Sequence, residues 1–309
     1  MQKHKKIIVC TTINAPTEAI KKFDNLEGWH LVVVGDLKTP VDFRLQNGTY
    51  LSPSDQEKMF PQMSNILGWN CIQRRNIGFL YALKSEAAII ATVDDDNIPT
   101  EHWGENLIVG QTTSIKIYEG KKGVFDPIAV TNYPHLWHRG FPLQYLAERN
   151  YINSAHEVIK FDVEASFWNG DPDIDAICRM EHAPICTFDE RDFPFSSDAI
   201  SPFNSQNTFL TSDVLRNYFM FIEVGRMDDI WASYYVQALG YKVAYSKPSV
   251  RQERNIHDLT VDFQKEVIGY TNNHKLLLSI MENPDNLKAF VGEKSWNAFC
   301  IYREIASAV

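Results

Sequence analysis

Asp94, Asp95 and Asp96 stand in a row at the end of residues 87–93, a run that is apolar apart from Thr92 and reads as a buried strand. Three like charges beside such a strand repel one another and lose hydration, so the pattern asks for a compensating cation. Hard carboxylate oxygens suit Mg²⁺ or Mn²⁺, which bind one or two carboxylates and complete their shell with phosphate oxygens. A cation there would bridge a diphosphate and neutralise it as it leaves. The competing reading is a solvated acidic loop that merely ends the strand.

The elements that must position this triplet are legible upstream. Residues 7–12 form a short β-branched run, residues 17–27 are helix-compatible, and Leu31–Val34 is a second apolar run, which predicts a βαβ unit with a buried parallel sheet. Ile72, Phe79, Leu80 and Leu83 recur at helical spacing and predict a helix over 70–85 that leads into the acidic strand. In open α/β sheets ligands bind outside the carboxyl ends of the strands, where the triplet falls. Residues 35–65 read as irregular loop with at most short strands. Residues 123–191, dense in aromatics, Pro and Asp, read as loops and short strands. Helices are predicted over 208–220, over 228–239, and from about residue 259 to the end.

Composition narrows the function classes. The 309 residues, 44% hydrophobic, suffice for a core without disulfide or metal staples. Thirty basic against 39 acidic side chains, a net charge of −9, would repel a nucleic-acid backbone and exclude a general nucleic-acid binder. The five cysteines are widely spaced without a C-x-x-C pair, so neither a disulfide framework nor a thiolate zinc site is signalled. The apolar run near the N-terminus is too short for a signal peptide, and no segment is long enough for a membrane span. These features predict a cytoplasmic protein.

Ala91-Thr92-Val93-Asp94-Asp95-Asp96 resembles the acidic motif of the reversibly glycosylated polypeptides, the UDP-arabinopyranose mutases, and is similar to that of the STELLO-type glycosyltransferase-like proteins, both of the GT-A fold superfamily. Further stretches resemble the family in the same order: Phe125-Asp126-Pro127, Arg139-Gly140-Phe141-Pro142, Phe167 to Ala176, and Gly225-Arg226-Met227-Asp228-Asp229-Ile230-Trp231-Ala232. With Val34-Gly35-Asp36 the likeness covers roughly residues 6–250. It implies an α/β fold of GT-A type, a Rossmann-like mixed sheet flanked by helices, over residues 1–250. Residues 251–309 would be a helical C-terminal extension packed on it.

The resemblance also implies a site. Asp94 and Asp96 would hold Mn²⁺ or Mg²⁺, joined by His257. Thr11, Thr12, Asn14, Asp36, Asp94 and Asp95 would grip the nucleotide, with Arg74 and Arg75 on the diphosphate. Trp168, Asp171 and Asp173 would meet the sugar, although Asx-capped turns are an equal reading for the aspartates. Asp229 would be the general base and Asp228 the cap of the following helix. The mutases carry an arginine soon after their Arg-Gly-Tyr-Pro element that takes part in self-glycosylation. Arg149 is the candidate here but lies beyond that register, and the mutase Asp-Asp-Asp-Cys becomes Asp-Asp-Asp-Asn at Asn97. Both departures favour transfer of a sugar from a nucleoside diphosphate sugar, a UDP-sugar first, to a carbohydrate acceptor. A pyranose/furanose mutase and a non-catalytic nucleotide-sugar-binding protein are the alternatives.

Overall fold

The two N-terminal apolar runs pair as parallel strands in a computed structural model of the chain, which describes residues 4–253 and 258–309. β1 (Lys6–Thr11), α1 (Glu18–Asp24) and β2 (His30–Val34) form the expected βαβ unit, with α1 capped by the Thr17 hydroxyl. β3 (Thr49–Leu51) adds outside β2. α2 (Pro53–Met59), α3 (Pro61–Leu67) and α4 (Arg75–Lys84) then bring the chain back to β4 (Ile89–Val93) on the other side of β1. The strand order therefore reverses between β1 and β4, which opens a crevice at their carboxyl ends.

Gly78 lets α4 approach β1 closely. A Cβ there would lie 2.4 Å from Val9 Cγ1 and 2.8 Å from Val34 Cγ2, so the helix backbone rests directly on the sheet. That contact sets the height at which the first turn of α4 meets the crevice.

The second half continues the same sheet. It comprises β5 (Asn97–Pro99), β6 (Thr112–Tyr118), β7 (Ser154–Lys160), β8 (Val163–Gly170), α5 (Ala176–His182), β9 (Phe195–Ser197), β10 (Asn207–Thr211), α6 (Ser212–Leu215), α7 (Asp228–Ala238) and β11 (Val243–Gln252). The strand order is β3-β2-β1-β4-β10-β8-β11-β9-β6-β7, with β5 on β11. β10 enters antiparallel to both β4 and β8, so the sheet is mixed. α8 (Leu259–Glu282), α9 (Lys288–Val291) and α10 (Glu293–Ser307) close the chain. α10 packs on α3 and α4 and buries Phe299 and Tyr302 among Phe219, Phe221 and Tyr235.

Two expectations are corrected. The helix predicted over 208–220 is instead β10 followed by the single turn of α6. Phe209 and Leu210 are apolar, but Asn207 and Thr208 beside them are equally buried, because β10 fills the slot between β4 and β8. The stretch 35–65 is not mainly loop: α2 starts at a capping box in which Ser52 and Asp55 bond reciprocally, and α3 starts at Pro61.

Candidate active site

The crevice at the ends of β1, β2 and β4 consists of two adjoining basins of about 320 and 530 Å³, each within the range of small-molecule sites. Asn70, Cys71, Ile72, Asp94 and Asp96 line both, so the acidic triplet sits at the junction. Each aspartate of the triplet has a different setting. Asp94 accepts from Arg75 Nη2 at 2.7 Å. Asp95 turns the other way, accepting from the Thr12 hydroxyl and from Asn14 Nδ2 at 3.0 Å, while its carbonyl accepts from Thr17 Oγ1 at 2.6 Å. Asp96 lines the junction.

Arg75, wholly buried at the start of α4, also donates to Thr11 Oγ1, Thr92 Oγ1 and the carbonyl and hydroxyl of Ser205. It neutralises the triplet from beneath. Loss of hydration still raises the pKa of Asp94 and the nearby Asp173 and Asp95 add to it, against the pull of Arg75. Among the described residues no three His, Cys, Asp or Glu side chains are grouped to hold a metal ion by themselves. Asp94 and Asp96 at the junction are the carboxylates that would hold Mg²⁺ or Mn²⁺, ions that take part of their shell from phosphate oxygens and water. His257 lies outside the described residues.

Thr11, Thr12, Asn14, Asp36, Arg74 and Arg75 all line the first basin. Their hydrogen bonds give them different parts. The Asp36 carboxylate accepts from the backbone N–H groups of Leu37, Asn70 and Cys71, tying the end of β2 to the turn before α4. Arg74, 1% exposed, stacks on Trp69 and donates to Gln56 Oε1, the Gly68 carbonyl and Ser64 Oγ. The expectation that Arg74 and Arg75 grip a diphosphate is therefore corrected: both guanidinium forks are spent on the protein.

The second basin holds an alternating set of charges. Arg139 donates to Asp173 Oδ2 (2.7 Å) and to Asp229 Oδ1 (3.0 Å) and Oδ2 (3.2 Å), and also to the Arg226 carbonyl. Arg226 in turn reaches Asp173 Oδ1 at 2.9 Å, Asp262 Oδ1 at 3.2 Å and Glu266 Oε1 at 2.9 Å, the last two on α8. Asp229 further accepts from the Ser205 N–H at 2.8 Å and its hydroxyl at 3.0 Å. Burial opposes its ionisation, but Arg139 outweighs this and its pKa is lowered. Asp228 is opposite in character. Burial first and the Asp229 charge second push its pKa up to about 7, and Gln73 Nε2 donates to its Oδ2 at 2.8 Å. Asp228 is not a cap: it is the first residue of α7, and Met227 stands at the cap position.

Three expected residues fall elsewhere. Trp168 is 3% exposed and packs among Phe167, Phe188 and His138, with no face left for a sugar. Asp171 pairs with Arg179. Arg149 is held by Asp126 at 2.6 Å and by the Leu136 carbonyl, and lines a separate depression. In their place the fold brings in Gln73, Arg139, Ser205, Arg226 and Lys265. Only Arg139 and Arg226 lay within stretches that the sequence marks, and nothing in their spacing indicates that they meet.

A mixed α/β sheet with an acidic strand end at its switch point defines a Rossmann-like class of protein. No family model matches the chain. It is 25% identical over 276 residues to probable glycosyltransferase STELLO2 of Arabidopsis thaliana, and 25% identical over 274 residues to STELLO1 of the same plant. Each alignment takes in 81% of this chain and 36% of the relative, so the chain spans about a third of the length of these curated proteins. The likeness is thus to a segment of two probable glycosyltransferases. Among solved structures, the mannosyltransferase PcManGT from Pyrobaculum calidifontis, in complex with GDP-Man and Mn²⁺, aligns with a TM-score of 0.39 at 11% identity over 100% of this chain and 74% of that one.

Proposed function

We propose that the chain transfers a sugar from a nucleoside diphosphate sugar, a UDP-sugar first, to an acceptor hydroxyl, with Asp228 rather than Asp229 as general base. The observation that carries this is the pairing of roles across the cleft. One end presents Asp94 and Asp96 for a cation and diphosphate, and the other presents a buried carboxyl poised near neutrality. Mn²⁺ or Mg²⁺ bound at Asp94 and Asp96 would neutralise charge on the departing diphosphate.

The chain's own residues do the rest. The acceptor oxygen attacks the anomeric carbon, the bond to the diphosphate oxygen breaks, and the acceptor proton passes to Asp228. Gln73 orients Asp228. Asp229, locked by Arg139 and Ser205, keeps its charge and so keeps its neighbour basic. Direct displacement with one base gives inversion at the anomeric carbon. The placement of Arg149 away from the cleft supports transfer to an external acceptor over self-glycosylation.

The test is calorimetry with UDP-, GDP-, ADP- and dTDP-sugars, each with and without Mn²⁺. Metal-dependent binding of at least one, lost in Asp96→Ala, is expected; binding of none sinks the reading. With an acceptor, nucleotide release distinguishes a transferase from a mutase.

A further inference from the structure

A second cavity, of about 500 Å³, lies beside the amino-terminal end of β8, whereas the cleft lies beyond the opposite ends of β1 and β4. Its origin is a fault in the sheet. β11 pairs with β8 in register up to Ser246 and again from Val250, and the residues between them bulge outward. The gap is lined by Glu164 and Ser166 of β8, Ser246 and Ser249 of β11, and the rings of Phe193 and Phe209.

Glu164 is 4% exposed, and nothing in the proposed reaction uses it. One of its oxygens, Oε2, accepts from the N–H groups of Ile108 (2.6 Å) and Val109 (3.1 Å), which pins the loop forming one wall. That leaves Oε1 beyond the clamp. The Ser246 hydroxyl is buried beside this carboxyl, whose charge it favours, while its oxygen meets no donor among the described residues. Ser249 Oγ accepts from Asn207 Nδ2 at 2.9 Å and keeps its own proton to donate. A buried hydroxyl oxygen without a donor is a standing penalty that a polar ligand relieves.

The charges decide the ligand class. An anion entering here meets Glu164, and among the described lining residues Lys247 at the rim is already paired with Glu190 at 3.1 Å and His102 with Glu105 at 3.3 Å. Hydroxyls both donate and accept, matching a carboxylate that accepts and serines that do both. The two phenylalanine rings supply the apolar wall typical of small-molecule pockets. We propose that this cavity is a second binding site, for a neutral polyhydroxyl ligand of saccharide type, with Glu164 and Ser246 as its hydrogen-bonding floor.

The experiment is ligand-observed NMR with maltose, cellobiose, lactose and galacturonate on the full chain, with UDP and Mn²⁺ present throughout. The expected result is binding of at least one neutral disaccharide that persists in Asp228→Asn and weakens at least tenfold in Glu164→Gln and in Ser246→Ala. Ser246→Ala leaves the Glu164 clamp intact, so it remains informative if Glu164→Gln fails to fold. Binding of no neutral disaccharide overturns the proposal. So does binding unchanged in Ser246→Ala, binding lost in Asp228→Asn, or tighter binding of galacturonate. None of these outcomes depends on whether the chain transfers sugars.

Discussion

Asp228 and Asp229 are neighbours in sequence with opposite chemistry, and the difference lies in Arg139, about ninety positions upstream. An adjacent acidic pair was legible in the sequence; which member holds its proton more tightly was not, because that depends on a partner the chain delivers only by folding. The proposed turnover should rise with pH as Asp228 loses its proton, with a limb centred near pH 7. Asp228→Asn should lower kcat by about 10²–10⁴-fold while leaving nucleotide affinity unchanged. Asp229→Asn removes a negative neighbour and leaves Arg139 with Asp173 as its remaining carboxylate, so the limb in a pH-rate profile should move to lower pH; an unmoved limb would remove Asp228 from the role. Folding carries the reverse sign. The Asp228 pKa is raised in the fold, so its stabilising contribution is complete below about pH 4 and is lost as pH rises through 7. Above pH 7, Asp228→Asn should therefore be more stable than the parent by about 1–2 kcal/mol in denaturant melts, even as it loses activity.

At the scale of elements, two glycines set how close the helices come to the site. Gly78→Ala places a methyl 2.4 Å from Val9 Cγ1, and Val9 is branched, buried and fixed in β1, so α4 must lift. The expected loss is about 1–3 kcal/mol in urea unfolding, with weaker nucleotide binding because Arg75 moves with the helix. Gly225 has φ +59°, and a Cβ there would lie 2.1 Å from the Lys265 carbonyl, so Gly225→Ala must push α8 away and carry Arg226 with it. The elements around the triplet were legible because β1, β2, β4 and α4 each carry a single clear apolar period. β10 was not: four of its five residues are buried between two neighbours, a setting that erases the alternation marking a strand. Trp168 shows the same limit, since nothing local distinguishes a sugar-facing ring from one enclosed by Phe167 and Phe188.

Over the whole molecule, the C-terminal helices are fastened at both ends of the cleft. α10 packs on α3 and α4 and seats Phe299 against Phe219 and against Tyr235 of α7, and Phe299→Ala should cost about 3–5 kcal/mol, read as a lowered melting temperature. α8 holds the other side through Asp262 and Glu266 on Arg226. From there the buried charges run in alternating sign through Asp173, Arg139 and Asp229 and, by way of Ser205, to Arg75 and Asp94. Removing one member of such a series strands the next in a poorly solvated site, whereas removing two adjacent members together leaves the rest in balance. Drift through these positions is thus restricted to paired steps. Related chains that lose the arginine at position 226 should also have neutralised 262 or 266, and this covariation should link α8 to the second basin across more than thirty positions of sequence.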